Sequence, residues 1–162
     1  MNDFQKTKCL KIVEKLIKNP ICSPFVNMVD PVRDGAPDYF DFISEPMALK
    51  EVERNLKNNE YKDIEAFKRH IDLIWKNAIT YNGEDTLFAH MAKEASLWFN
   101  KKMENFPENG LQEWFHKVQK ITQDIFDALC HPPTELDPNN KLTREKNSDP
   151  DTKDNNYQNS DL

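Results

Sequence analysis

The sequence predicts an all-α protein built on a four-helix bundle, for three reasons. Apolar residues recur every three or four positions over most of the chain, which is the period of an amphipathic helix. The three glycines and most of the ten prolines lie between these periodic segments. Four such segments precede residue 107, and their apolar faces must be buried against one another. The 162-residue length suits one domain with additional segments.

The first three predicted helices have clear ends. The first spans residues 3–19 and is stopped by Pro20. The second begins after Pro46 and fades into a polar run before residue 61. The third is the most regular, with Asp63 as its N-cap and Gly83 as its stop.

Two further helices follow. The fourth begins around Asp85 or Thr86, and its expected inward face consists of Phe88, Met91, Ala95 and Trp98, with Ala92 and Phe99 beside it. The fifth lies within residues 107–131, where Asn109 and Gln112 resemble a capping box. Its apolar stripe contains Leu111, Trp114, Val118, Ile121, Ile125 and Leu129, and is widened by Phe115 and Phe126. A helix this apolar is expected to pack on the bundle or on a protein partner.

The chain therefore divides into a bundle over residues 1–106, an additional helix over 107–131 and a tail over 132–162. The tail is rich in Asp, Asn and Pro and has few large apolar residues, which predicts a disordered acidic segment. The net charge of -6 argues against binding to nucleic acid or an anionic membrane surface. No stretch has the character of a signal peptide or a membrane span, and three widely spaced cysteines indicate reduced thiols.

The segment 20–46 is the first candidate functional feature. Besides half of the prolines, it contains ten large apolar residues, too many for a solvated connector. Long loops in compact domains often line sites, although a plain connector remains an alternative. We expect this loop to pack on the bundle and to line a cavity.

Asn82 is the second candidate feature. Asn-Gly after an apolar helix is first of all a helix stop. Because the packed helix would hold Asn82 in place, its amide could also donate a hydrogen bond to the carbonyl of a neutral ligand.

Taken together, these segments resemble the bromodomain family. The matching residues, in order, are Pro24-Phe25, Val29-Asp30, Ala36-Pro37-Asp38-Tyr39-Phe40, Pro46-Met47, Tyr61 and Tyr81-Asn82, with Phe67, Trp75, Asn77 and Met91-Ala92 at further family positions. The resemblance covers about residues 7–103. It implies a left-handed four-helix bundle that binds acetyl-lysine between the first long loop and the loop after the third helix. It also implies a nuclear reader of histone tails in chromatin and transcription regulation, without catalysis or cofactor.

The resemblance also implies a role for each site residue. Asn82 would bind the acetyl carbonyl directly, and Tyr39 would bind it through a water. Pro24, Phe25 and Val29 would line the channel, Tyr81 would form its wall, and Phe88 would guard its entrance. Three simpler interpretations remain open: Phe88 and Phe25 as core aromatics, and Tyr39 as a buried loop anchor.

Four positions depart from the family pattern. Ser23 replaces a tryptophan that forms part of the pocket wall in many members, which predicts a lower and less aromatic wall. Ala48 replaces a usual aspartate and removes an N-cap from the second helix. Met28 and Asp34 also differ, and Asp34 could place a negative charge near the rim.

Two rival functions are weaker. The chain has no glycine-rich phosphate loop, no nucleophile elbow and no paired histidines, so we expect no enzymatic activity. A helical adaptor that has lost acetyl-lysine binding could instead use Trp114 and Phe115. The presence of Asn82 and Tyr39 argues against that loss.

Overall fold

A computed structural model of the chain describes residues 1–136, and every regular element within them is helical. The elements in order are α1 (Asp3–Lys18), a 3-10 helix (Pro20–Phe25), α2 (Tyr39–Phe42), α3 (Leu49–Lys57), α4 (Ile64–Asn82), α5 (Leu87–Met103) and α6 (Gly110–Cys130). The predicted all-α class and its four principal helices, here α1, α3, α4 and α5, are confirmed. None of the helices in the described range is long and apolar enough to cross a membrane.

Side-chain caps fix where three of the helices begin. Asp63 accepts a hydrogen bond from the Ala66 amide at 2.7 Å, as predicted for the start of α4. Thr86 caps α5, and a capping box of Asn2 and Gln5, which we did not predict, opens α1. These caps satisfy amide groups that would otherwise lack a partner in the first turn.

The residues described fall into two compact units, the first covering Met1–Glu113 and the second beginning at Trp114. The first unit contains the bundle, in which α1 packs on α3 and α4 packs on α5. Its largest fully buried side chains include Phe67, Phe99, Leu16, Leu49, Leu56 and Ile71. The rings of Phe67 and Phe99 meet edge to face, with centroids 5.8 Å apart.

The inward face of α5 differs from our prediction. Its buried residues are Ala89, Ala92, Ala95 and Phe99, whereas Met91 and Trp98 are half-buried and Phe88 is 44% exposed. The stripe is therefore rotated by about one residue relative to the predicted one. Alanines allow α5 to approach its neighbours closely, so the small side chains face inward here and the large ones lie at the edge. The interpretation of Phe88 as a core residue is wrong.

The segment predicted as one long loop contains the 3-10 helix and α2. Not all of its apolar residues are buried, since Val32, Phe40 and Phe42 are exposed. Others form a small cluster in which Tyr39, Ile43 and Ala36 are buried, with Val29 and Tyr81 packed against them.

Helix α6 begins near its predicted cap. The Asn109 side chain accepts from the Gln112 amide at 2.9 Å, as predicted, but the Gln112 side chain accepts from Glu108 rather than from Asn109. Within the first unit, Lys8 forms an ion pair with Glu113 at 2.5 Å. The predicted boundaries of the bundle and the additional helix stay predictions, as does the packing of that helix. Residues 137–162 of the predicted tail lie outside the described range.

Candidate functional site

A cavity of about 580 Å³ lies within the first unit, where the segment 23–47 meets the C-terminal end of α4 and the beginning of α5. All seven residues predicted to form the site line it: Pro24, Phe25, Val29, Tyr39, Tyr81, Asn82 and Phe88. The other lining residues are Ser23, Asn27, Arg33, Asp34, Ala36, Met47, Ile74 and Ala78. The structure thus brings the predicted residues together, while their roles toward a ligand stay predictions.

Phe25 belongs to both the core and the cavity. It is only 7% exposed, and its ring meets Trp75 edge to face with centroids 5.4 Å apart. Next to it, the Val26 carbonyl accepts a hydrogen bond from the Lys50 amide at 3.1 Å, which joins the loop to α3. The interpretations of Phe25 as core aromatic and as pocket wall are therefore compatible.

Two tyrosines form an aromatic corner of the cavity. The rings of Tyr39 and Tyr81 meet edge to face with centroids 5.0 Å apart. The Tyr81 hydroxyl donates to the Asp38 carboxylate at 2.8 Å. Tyr39 is buried, and this burial raises the pKa of its phenol. Its hydroxyl is therefore neutral at physiological pH and can both donate and accept a hydrogen bond.

Asn82 is the last residue of α4 and lines the cavity. Its Nδ2 donates to the Ala78 carbonyl at 2.8 Å, which fixes the orientation of the side chain. An amide nitrogen carries two hydrogens, so this bond leaves one N–H for a ligand. Gly83 then ends the helix with φ of +85°, a conformation that favours glycine. The helix stop and the placement of a donor are two results of the same turn.

Asn77 supports the site from one turn earlier, and its role was not predicted. It is 7% exposed, and its Nδ2 donates to the Glu45 carbonyl at 2.8 Å, which anchors the C-terminal end of the loop to α4. A polar residue between Ile74 and Ala78 on the inward face of a helix was the available sequence signal. It points to a buried hydrogen bond without identifying the acceptor.

Two charged lining residues of the cavity, Arg33 and Asp34, form an ion pair. Arg33 contacts Asp34 at 2.7 Å and also donates to the Met28 carbonyl at 3.2 Å. The guanidinium, together with the Asp30 amide, lowers the pKa of Asp34 to about 2. Arg33 thus neutralises the charge that Asp34 was expected to bring.

Apart from Arg33 and Asp34, the cavity lining is apolar or neutral. The uncharged part of the lining disfavours an unpaired ammonium group, since burying an ion without a partner costs several kcal/mol. It suits a neutral ligand whose carbonyl can reach the Asn82 amide. No group of His, Cys, Asp and Glu side chains within residues 1–136 could hold a metal ion.

The fold and the site define a helical-bundle module with a neutral pocket between its long loop and the end of α4. Residues 9–94, more than half of the chain, match the family model "Bromodomain". The chain belongs to the bromodomain family.

Individual proteins show the same similarity. The SWR1 complex bromodomain subunit bdf1 of Schizosaccharomyces pombe is 36% identical over 129 residues, which is 78% of this chain and 22% of that protein. Bromodomain-containing factor 1 of Saccharomyces cerevisiae is 32% identical over 122 residues, 74% of this chain and 18% of that protein. The nucleosome-remodeling factor subunit NURF301 of Drosophila melanogaster is 32% identical over 108 residues, 67% of this chain and 4% of that protein. The chain thus spans less than a quarter of the length of these relatives.

Proposed function

We propose that this chain is a non-catalytic reader that binds N-acetyl-lysine in the cavity between the long loop and the end of α4. The observation that carries the proposal is the position of Asn82, whose oriented amide belongs to the lining of a cavity in which the charged residues, Arg33 and Asp34, pair with each other. Acetylation converts a solvated cation into a neutral amide with one carbonyl and one methyl group. The cavity discriminates between the two forms through the cost of desolvating the ammonium.

In this proposal, two polar groups recognise the acetyl carbonyl. The second Asn82 N–H donates to it directly, and the Tyr39 hydroxyl binds it through a water. Pro24, Phe25 and Val29 contact the lysine side chain, Tyr81 forms a wall, and Phe88 narrows the entrance. One neutral hydrogen bond contributes about 1 kcal/mol and one side chain buries little area, so a single site should bind in the roughly micromolar to millimolar range.

We infer that the acetylated lysines belong to histone tails, and that the module acts in the nucleus in chromatin recognition and transcription regulation. One relative is named as a subunit of a nucleosome-remodeling factor, which supports nucleosomal proteins as the ligand source. Histone tails are basic, and the chain is acidic overall, with a net charge of -6. Opposite net charges favour encounter between the two partners.

The test is calorimetric titration of the chain with matched histone-tail peptides that carry acetylated or unmodified lysine. Wild type should bind the acetylated peptide at least about tenfold more tightly, because the ammonium form leaves an unpaired buried charge. Asn82→Ala should remove this preference. Asn100→Ala, which changes an exposed asparagine on α5, should retain it and serves as the control.

Equal affinity of wild type for both peptides would reject the proposal. An adaptor that keeps the fold without binding acetyl-lysine would then be the better explanation. Circular dichroism of each variant separates loss of the donor from loss of the fold.

A further inference from the structure

The apolar stripe of α6 has the spacing of a helix that pairs with another helix. Five of its residues follow one another at alternating steps of three and four: Leu111, Trp114, Val118, Ile121 and Ile125. Ala128, rather than Leu129, continues this spacing and completes the seam. This is the seven-residue repeat of a coiled-coil seam, continued over the whole helix. Its large side chains are 38–75% exposed, and α6 contains no buried residue. An apolar surface of this length marks an interaction site.

The two flanks of this seam, which runs from Leu111 to Ala128, differ in charge. All residues on one flank are uncharged: Gln112, Phe115, Gln119, Thr122, Phe126 and Leu129. The other flank holds every Lys, Asp and Glu of the helix: Glu113, Lys117, Lys120, Asp124 and Asp127. Within the charged flank, the residues beside the seam are Lys117 and Asp124, which have opposite signs.

This asymmetry selects a second copy of α6 in one orientation. In a parallel pair, the charged flank of each helix would face the uncharged flank of the other, so Lys117 would lie beside Thr122 and Asp124 beside Leu129 rather than beside an opposite charge. In an antiparallel pair, each flank meets its own counterpart. Lys117 of one helix then lies beside Asp124 of the other, and the two phenylalanine-bearing flanks meet on the opposite side.

In the antiparallel orientation, every layer of the seam contains one apolar side chain from each helix. The facing pairs are Val118 with Ile121, Trp114 with Ile125, and Leu111 with Ala128, each occurring twice. A large side chain faces a small one in the outermost layer, so the volumes are complementary.

We propose that α6 pairs with α6 of a second copy of this chain as an antiparallel coiled coil. The seam is only about three heptads long, so the dimer dissociates on dilution. Dimerisation places two bromodomains in one particle. If each binds acetyl-lysine, two linked sites raise the apparent affinity for a doubly acetylated target. The pairing itself does not depend on the proposed function.

The first test is sedimentation equilibrium of the full chain over a wide concentration range. The expected result is a concentration-dependent rise toward twice the 19.1 kDa of one chain, and a Val118→Asp variant that stays monomeric. A wild-type chain that stays monomeric throughout would overturn the proposal. In that case, a Val118→Asp variant with a lowered melting temperature would indicate packing within one chain, and an unchanged one would favour a foreign partner.

A charge exchange tests the register. Lys117→Asp makes both flanking positions of the seam acidic, and Asp124→Lys makes both basic, so each variant alone should dimerise more weakly than wild type. An equimolar mixture should restore dimerisation, because antiparallel pairing then joins opposite charges at both contacts. In a parallel pair these positions do not face each other, and no restoration in the mixture would overturn the proposed geometry.

Thiol crosslinking tests the orientation independently. Cys130 ends α6, whereas Cys9 and Cys22 are buried. In the antiparallel register the two Cys130 thiols lie about 30 Å apart, so a short bis-maleimide should not join them in wild type. Glu108→Cys adds a thiol near Cys130 of the second copy and should yield a crosslinked dimer through that pair. Efficient joining of Cys130 to Cys130 would show a parallel pair and overturn the proposal.

Discussion

The Tyr81 hydroxyl lies 2.8 Å from the Asp38 carboxylate, and this hydrogen bond joins the end of α4 to the loop that faces it across the cavity. Tyr81 precedes Asn82, and Asp38 precedes Tyr39. The bond therefore lies directly beside the two groups proposed to recognise the acetyl carbonyl. It ties together the two segments that hold these groups.

Tyr81→Phe should weaken acetyl-lysine binding about fivefold, because the loop loses one tie while the aromatic wall is retained. Asp38→Asn should have a similar effect, and the double variant should be little worse than either single one. Calorimetric titration with one acetylated peptide measures the dissociation constants of the two single variants and the double variant.

Asp41→Asn is the matched control for Asp38. It removes one negative charge from α2, next to Asp38, but no hydrogen bond to Tyr81. The variant should therefore bind the acetylated peptide with the affinity of wild type. Additive effects of the two single variants would show that the bond does not couple the loop to α4.

Phe88 should limit the length of the acyl group that the cavity accepts. The side chain is 44% exposed and lines the cavity, and Phe88→Val would widen this part of the site. We expect the ratio of butyryl-lysine to acetyl-lysine affinity to rise about three- to tenfold, since each additional methylene gains apolar contact.

Leu87→Val is the control for this prediction, because Leu87 is exposed and does not line the cavity. Peptides that differ only in the acyl chain supply the measurement. If the ratio of butyryl-lysine to acetyl-lysine affinity changes equally in both variants, Phe88 is not the residue that limits the entrance.

Helix period and caps were readable from the sequence because they depend on neighbours along the chain. Asp63 and Gly83 bound α4 as predicted, since capping and left-handed turns are local chemistry. The face of α5 was not readable in the same way. It depends on how closely two helices approach, which favoured Ala89 over Phe88 at the inward position.

The candidate site shows the same difference between features that depend on local sequence and contacts that depend on the fold. The family resemblance identified Asn82 and Tyr39 because their spacing along the chain is distinctive. The acceptor of the Asn77 amide could not be inferred, because Glu45 lies 32 residues away in the sequence. Contacts between distant segments require the tertiary structure.

The beginning of α3 is a point where stability can be gained. Ala48 has the extended backbone of an N-cap residue but makes no side-chain cap bond. Ala48→Ser would supply an acceptor for the first turn and should raise the free energy of unfolding by about 1 kcal/mol. Urea denaturation at constant m-value measures this change.

Asp63→Ala provides the opposite case. It removes the acceptor that lies 2.7 Å from the Ala66 amide and should lower the free energy of unfolding by about 1 kcal/mol. If Ala48→Ser also lowers the free energy of unfolding, the buried position of Ala48 does not tolerate the added hydroxyl.

The buried thiols should make the fold sensitive to alkaline pH. Burial raises the pKa of Cys9 to about 12 and that of Cys22 to about 11, from 9.0 for an unburied thiol. The unfolded chain therefore releases these protons first as the pH rises. The resulting stability is fully present below pH 9 and is lost as the pH rises from there toward the folded-state values.

Urea unfolding at a series of pH values above 7 should show a free energy that declines beyond pH 9, with a slope of at most about 1.4 kcal/mol per pH unit for each thiol. Replacing both Cys9 and Cys22 by alanine should lower the whole curve, because side-chain volume is lost, and flatten its decline. Cys130→Ala, which changes the thiol outside the core, should leave the slope unchanged. If the free energy of unfolding declines equally steeply in the Cys9 and Cys22 double variant, other groups cause the alkaline sensitivity. Tyr61 would then be the first residue to replace, because burial raises its pKa to about 12.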